Sequence, residues 1–276
     1  MELKKGLILE GGGLRGNYTA GVLDAFLEEG VEFPYIIGVS AGAGMGCSYV
    51  SKQRGRNLEI LKKYRRDPRY LSFRSFIRTG NLFGLDFIYH DIPHRLVPFD
   101  FEAFNRSSSR FVTVCTGCES GEAVYFENGE DLLTVLKASS ALPYISKMVS
   151  YGAGKFLDGA IVDAIPLQKA IEAGYQKNVV IMTQPAGYRK KEEPHPPARL
   201  FYGNYPRLIR ALDRRVAVYN RAAEFAEAEA RAGRALIIRP SRDLGVTRTE
   251  KNVEKLIRLY ELGLADGREA LAKIEA

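Results

Sequence analysis

No stretch of this 276-residue chain approaches the ~20 consecutive apolar residues that a membrane-spanning helix needs, which excludes a helical span. The opening residues, Met1-Glu2-Leu3-Lys4-Lys5, lack the apolar core of a secretory signal. Cysteine is scarce, and three residues cannot pair completely. A reducing, cytoplasmic setting is therefore expected, with any membrane contact peripheral and at the inner face. Histidine is equally scarce, at His90, His94 and His195. What is present in quantity, 46% hydrophobic and 26% charged residues, is the balance of a folded globular chain and excludes disorder.

Charge is more informative in its distribution than in its total of +7. Between Ser51 and Gly80 ten Lys or Arg face two acids, Glu59 and Asp67, a local excess larger than that of the whole chain. Tyr64, Tyr70, Phe73 and Phe76 are interleaved with it. Such a segment suits an anionic membrane surface better than nucleic acid, and no nucleic-acid partner is expected. The plainer alternative is a solvated helix face.

Strand-like and helix-like stretches alternate, which predicts a mostly parallel sheet covered by helices. Gly6–Glu10 and Tyr35–Val39 read as buried strands, followed by helices over Asn17–Glu29 and Ala43–Gln53. Arg54 to Asn105 is irregular, basic and aromatic, and reads as an insertion or cap. Phe111–Cys115 and Ala123–Phe126 read as strands joined at Ser120-Gly121, and Asp131–Ser139 as a helix. Lys155–Leu157, Val179–Met182 and Ala235–Ile238 complete the strands, and residues 185–200 read as a surface loop. A C-terminal helix follows, with Val253, Leu256, Ile257, Tyr260 and Leu264 on one face and Thr249 as its N-cap. The expectation is one domain over 1–276, with core motifs in 6–170, the insertion at about 54–105 and a helical region at about 205–276.

Gly38-Val39-Ser40-Ala41-Gly42 is a G-x-S-x-G between a strand and a helix. A serine there sits in a strained turn that needs small neighbours, and the helix N-terminus beyond it favours developing negative charge. Gly11-Gly12-Gly13-Leu14-Arg15-Gly16 follows the first strand. Its backbone N–H groups suit an oxyanion hole, with that of Ala41 beside them. The same residues match G-x-G-x-x-G, but a dinucleotide site wants an acid at the end of the second strand, where Val39-Ser40 stands. The Gly-Lys-Ser/Thr of a Walker loop is missing as well.

The serine needs a base. His195 lies in the extended Glu192–Pro197 stretch, and Pro93 disrupts the helix that would bring His90 and His94 onto one face, so neither a base nor a metal site is expected from them. Asp158, in Phe156-Leu157-Asp158-Gly159-Ala160, ends a strand where a parallel sheet places its active site; Asp163 ranks behind it. Asp-Gly alone is more often a turn. A free aspartate, at a pKa of about 3.9, is a poor base, so burial must raise it. Cys115-Thr116-Gly117-Cys118 has no second pair and reads as buried, incidental thiols facing opposite sides of a strand.

Together, GGGLRG after the first strand, GVSAG after the second and DGA far downstream resemble the patatin-like phospholipase family. Ala138–Pro143 looks like its small-residue segment before the DG motif, and Pro166 like its following proline. The resemblance spans the first ~170 residues. It implies a three-layer α/β/α fold and a Ser–Asp dyad that cleaves fatty-acyl esters of lipids without cofactor or metal. Ser40 would be the nucleophile, Asp158 the base, Gly11 to Gly16 the oxyanion loop, and Gly38, Gly42, Gly159 and Ala160 the motif residues. Three rivals stand beside that reading: a Ser–His–Asp hydrolase using His195, a nucleotide-binding oxidoreductase, and a catalytically silent lipid-binding protein.

Overall fold

A computed structural model describes residues 5–275. Its strands are β1 Lys5–Leu9, β2 Tyr35–Val39, β3 Arg110–Gly117, β4 Ala123–Phe126, β5 Val149–Tyr151, β6 Gly154–Asp158, β7 Lys177–Ile181 and β8 Ala235–Ile238. The α-helices are α1 Gly16–Glu28, α2 Ala41–Val50, α3 Arg56–Tyr64, α4 Phe73–Thr79, α5 Phe101–Arg106, α6 Leu132–Ser139, α7 Leu167–Glu172, α8 Ala198–Tyr202, α9 Pro206–Arg231 and α10 Val253–Glu275. A π-helical segment runs from Phe87 to Leu96 around Pro93.

The strands form one sheet in the order β5-β6-β3-β2-β1-β7-β8, with β4 also paired to β3. From β3 through β8 the pairing is parallel, and β4, β5 and β6 are antiparallel. Strand residues alternate between faces. Leu7, Leu9, Ile36 and Ile181 pack under α1, α2 and α10, while Ile8, Ile37, Val114 and Val180 pack against α7 and α9. This is the three-layer α/β/α arrangement with a mostly parallel sheet.

On the first face, α1 and α10 meet backbone to backbone. A Cβ at Gly21 would lie 2.0 Å from the Tyr260 carbonyl oxygen, and one at Gly263 would lie 2.1 Å from that of Tyr18. Only glycine allows that approach. The buried Tyr260 hydroxyl donates to Asp24 at 2.6 Å across the same contact.

Several expectations change. The helix after the second strand starts at Ala41, directly after Ser40. The insertion read as irregular holds α3, α4, the π-helical segment and α5. The loop 185–200 ends in α8, and α9 is a 26-residue helix that apolar spacing alone did not single out. Asn252 caps α10 in place of Thr249, its side chain accepting the Lys255 N–H at 2.9 Å. Pro93 does not separate His90 from His94, because the wider π-helical turn leaves their rings 5.2 Å apart. Cys115 and Cys118 share one core cluster, since β3 ends between them at Gly117.

Candidate active site

The nucleophile candidate sits where the sequence places it. Ser40 has φ 53° and ψ −124°, a strained conformation for a residue with a side chain. The turn is held open by its glycines: a Cβ on Gly42 would be 2.5 Å from the Leu9 carbonyl oxygen, and one on Gly38 2.7 Å from the Ala43 nitrogen. Ser40 is buried and starts α2. Its N–H donates to Ser139 Oγ at 2.8 Å, and that hydroxyl donates in turn to the Val114 carbonyl at 2.6 Å. Ser139 thus pins the turn to β3. Sequence reading reached the small-residue segment around it, but not this role.

Strand β3 aligns the two candidate catalytic residues. β2 runs beside it as far as the pair Val39↔Val114, and β6 takes over on the same side from Cys115↔Asp158. The chain therefore delivers Asp158 to the end of β2, next to the elbow. It does so on an antiparallel strand, which corrects the expectation that Asp158 ends a member of the parallel set. Asp158 is fixed by its backbone as well: its N–H donates to the Ala141 carbonyl at 2.9 Å, and its carbonyl accepts from Thr116 Oγ1 at 2.8 Å.

The Asp158 side chain is buried, with Oδ1 accepting the Ala160 N–H at 2.8 Å. Oδ2 is enclosed and completes no hydrogen bond among the described residues. Burial pushes the carboxyl up to about 6, against the opposing pull of the Ala160 N–H, the adjacent Ser40 hydroxyl, Lys190 and Arg248. Ser40 and Asp158 thus stand side by side with their bond not closed.

The alternatives are engaged elsewhere. Asp163, also pushed up to about 6 by burial, accepts from the Tyr125 hydroxyl at 2.9 Å. His195 is exposed, stacked on Tyr144, and hydrogen-bonded to the Tyr144 hydroxyl and the Pro196 carbonyl. Among the described residues no group of three or more His, Cys, Asp or Glu is placed to hold a metal ion. The three thiols are free and buried, and burial raises Cys47 to about 11 and Cys118 to about 12.

The glycine loop lies against the serine, and a Cβ on Gly11 would be 3.3 Å from that of Ser40. Not all of its N–H groups are available. Leu14 N–H donates to the Arg248 carbonyl at 3.0 Å, Arg15 N–H to Gly12 at 3.2 Å, and Gly16 N–H to Gly13 and Leu14. Those of Gly11, Gly12, Gly13 and Ala41 have no acceptor among the described residues. The expected oxyanion set narrows to these four; Leu14, Arg15 and Gly16 hold the loop's shape.

Two spaces open at Ser40. One is an apolar cavity of about 120 Å³, walled by Met45 from α2, Leu61 from α3, Phe83, Ile88 and Tyr89 from the insertion, and Leu136 from α6. The insertion therefore builds an interior wall. Its positive charge is largely spent: Lys52, Arg54, Lys63, Arg66 and Arg69 are ion-paired, and Arg56 and Arg65 are buried against backbone carbonyls. The other space is a polar cleft containing Ser40, Asp158, Glu10, Arg15, Lys190 and Arg248.

The family profile described as patatin-like phospholipase matches residues 7–171, which cover both candidate catalytic residues and the glycine loop. The chain belongs to the patatin-like phospholipase family. Lipid acyl hydrolysis is what that family does in general. The patatin-like region is followed by a match over residues 205–276 to a domain of unknown function, DUF6363. The uncharacterized protein YjjU of Escherichia coli (strain K12) is 32% identical over 185 residues, 65% of this chain. The match covers 52% of YjjU, so this patatin-like chain spans about half the length of that relative. The crystal structure of VipD from Legionella pneumophila aligns with 99% of this chain and 67% of its own, at a TM-score of 0.49 and 14% identity.

Proposed function

We propose that the protein is a serine lipid-acyl hydrolase of phospholipase A, lysophospholipase or esterase type, working through a Ser40–Asp158 dyad. The observation that carries this reading is the buried, half-satisfied Asp158 carboxylate registered by β3 beside the strained Ser40, with an apolar cavity opening at the same serine. Ser40 Oγ attacks the acyl carbonyl carbon and its proton passes to Asp158. The free N–H groups of Gly11, Gly12, Gly13 and Ala41 receive the oxyanion, each such donor being worth about 3–4 kcal/mol. Collapse expels the alcohol, which takes the proton back from Asp158 and leaves an acyl-serine. Asp158 then accepts a proton from water as the oxygen of that water attacks the acyl carbon; collapse expels Ser40 Oγ, which takes the proton back from Asp158, and the fatty acid is released. The scheme calls on no metal or organic cofactor. The acyl chain lies in the apolar cavity.

Labelling by a fluorescent fluorophosphonate tests this reading. It should be lost in Ser40→Ala and strongly reduced in Asp158→Asn. A folded wild type that never labels would overturn the hydrolase and favour a lipid-binding protein without turnover.

Membrane contact belongs on α4. There Phe73 and Ile77 are about 70% exposed, and Arg74 and Arg78 are exposed without a carboxylate partner among the described residues. Exposed apolar and cationic side chains on one short helix fit an anionic bilayer surface. The chain leaving α4 is tied to the site entrance, since Leu82 N–H donates to Ile145 and Asn81 accepts from Lys147 N–H. Co-sedimentation with anionic vesicles should drop in Phe73→Ser/Ile77→Ser and in Arg74→Gln/Arg78→Gln; unchanged binding in both refutes the assignment.

A further inference from the structure

The polar cleft adjoins, through Arg15, Asp158, Lys190 and Arg248, a wider space that gathers cations from parts of the chain beyond the patatin-like match. Lys190 comes from the loop before α8, Arg215 from α9 and Arg248 from the segment before α10; Arg15 comes from the glycine loop. All four line one space that the buried Asp158 also borders. The acids nearby are engaged. Glu10 is buried and accepts from Thr183 N–H at 2.5 Å and Tyr219 hydroxyl at 2.7 Å, Glu193 pairs with Arg248 at 2.9 Å, and Asp243 accepts the Gly245 N–H at 2.7 Å. Among the described residues, no carboxylate lies within 4.0 Å of a side-chain nitrogen of Arg15, Lys190 or Arg215, and the Arg15 Nε is buried with no partner at all. Burial, then the nearby Arg248 and Arg215, push the Lys190 ammonium down to about 8, against the opposing pull of Asp158 and Glu10. An anion placed among them would relieve that repulsion and fill the unused donors.

We propose that Lys190, Arg215 and Arg248, with Arg15, form a phosphate-binding subsite beside Ser40, on the alcohol side of the scissile ester. The inference rests on the hydrolase reading for its substrate geometry. It names the substrate class as an acyl ester carrying a phosphate group. Residues 205–276 gain a role in substrate binding from it, since two of the four cations belong to them. Guanidinium groups are well matched to such a ligand, because their planar forks fit phosphate oxygens. The fold links the subsite to the oxyanion loop through the Arg248 carbonyl, which accepts the Leu14 N–H.

The test is binding rather than turnover, so that it stands apart from the hydrolase assay. Ser40→Ala protein is titrated calorimetrically with decyl phosphate, with monodecanoylglycerol and with inorganic phosphate. Decyl phosphate should bind at least about tenfold more tightly than the neutral ligand of equal chain length. In Lys190→Gln/Arg215→Gln that ratio should fall to near one, while Lys190→Arg, which keeps the charge, should retain most of it. A ratio near one in the parent protein overturns the subsite, and a ratio that survives the double substitution overturns its residues. Inorganic phosphate binding as tightly as decyl phosphate would mean a free-phosphate site and overturn the lipid assignment. Absence of fluorophosphonate labelling in the wild type bears on the hydrolase reading alone.

Discussion

Removing the charge of Asp158 should make the folded protein more stable at neutral pH while abolishing its chemistry. The carboxyl is buried and its pKa is raised from 3.8 to about 6. The fold thus prefers the neutral acid. The stability linked to that preference is complete below the unfolded pKa and is lost as pH rises through the folded one. A gap of about two units corresponds to about 3 kcal/mol, and Asp158→Asn, which cannot ionise, does not lose it. The amide keeps an acceptor for the Ala160 N–H; its NH₂ adds an offset that does not vary with pH. Asp163 also titrates near 6, but it does so in both proteins and cancels. Urea unfolding followed by far-UV circular dichroism at a series of pH values reads the difference. The variant's advantage over wild type should be flat below about pH 4, grow by about 1.4 kcal/mol per unit, and level off above about pH 6. A difference that stays within about 0.5 kcal/mol from pH 4 to pH 8 would refute the claim that burial holds this carboxyl up.

The same titration governs reactivity in the opposite sense, since the base works ionised. The fluorophosphonate labelling rate of wild type should rise about tenfold per pH unit below 6 and plateau above it. Ser139→Ala leaves the Ser40 N–H and the Val114 carbonyl without their shared partner, so stability should fall by about 1–3 kcal/mol in urea melts and labelling should slow about tenfold. His195→Ala should label within about twofold of wild type, whereas a Ser–His–Asp enzyme would lose about a thousandfold or more.

What the sequence disclosed about the site was local. Gly38 is dictated by its contact with Ala43 within the strand–turn–helix and Gly42 by the close approach of Leu9 at the end of β1, and the pattern they make left the elbow legible in five residues. Asp158 was legible through the company of the other motifs, although its strand direction was not, because β6 reads the same in either orientation. Long-range pairings stayed hidden. Leu14 N–H is taken by a carbonyl 234 residues away in the chain, and Ser139 touches Ser40 across 99 positions. The insertion's positive charge pointed to a surface, yet folding pairs or buries most of it and leaves Arg74 and Arg78 outward on α4. Arg15, Lys190 and Arg215, with no carboxylate in reach among the described residues, gather with Arg248 at the cleft, and all but Arg15 come from residues that carry no motif.

The glycine-to-backbone contact between α1 and α10 bears on how this chain could have evolved. Sequence families divide it into two stretches, 7–171 and 205–276, as though each were a module. Yet Gly21 belongs to the first stretch and Gly263 to the second, and each is shaped to the other helix's main chain. A recombination event that exchanged the second stretch for an unrelated helix would set a side chain against a carbonyl oxygen at about 2 Å, and one that deleted it would strip α1 of its cover. Inheritance should therefore have kept the two together, with compensating changes at Tyr18, Gly21, Tyr260 and Gly263 wherever either drifted.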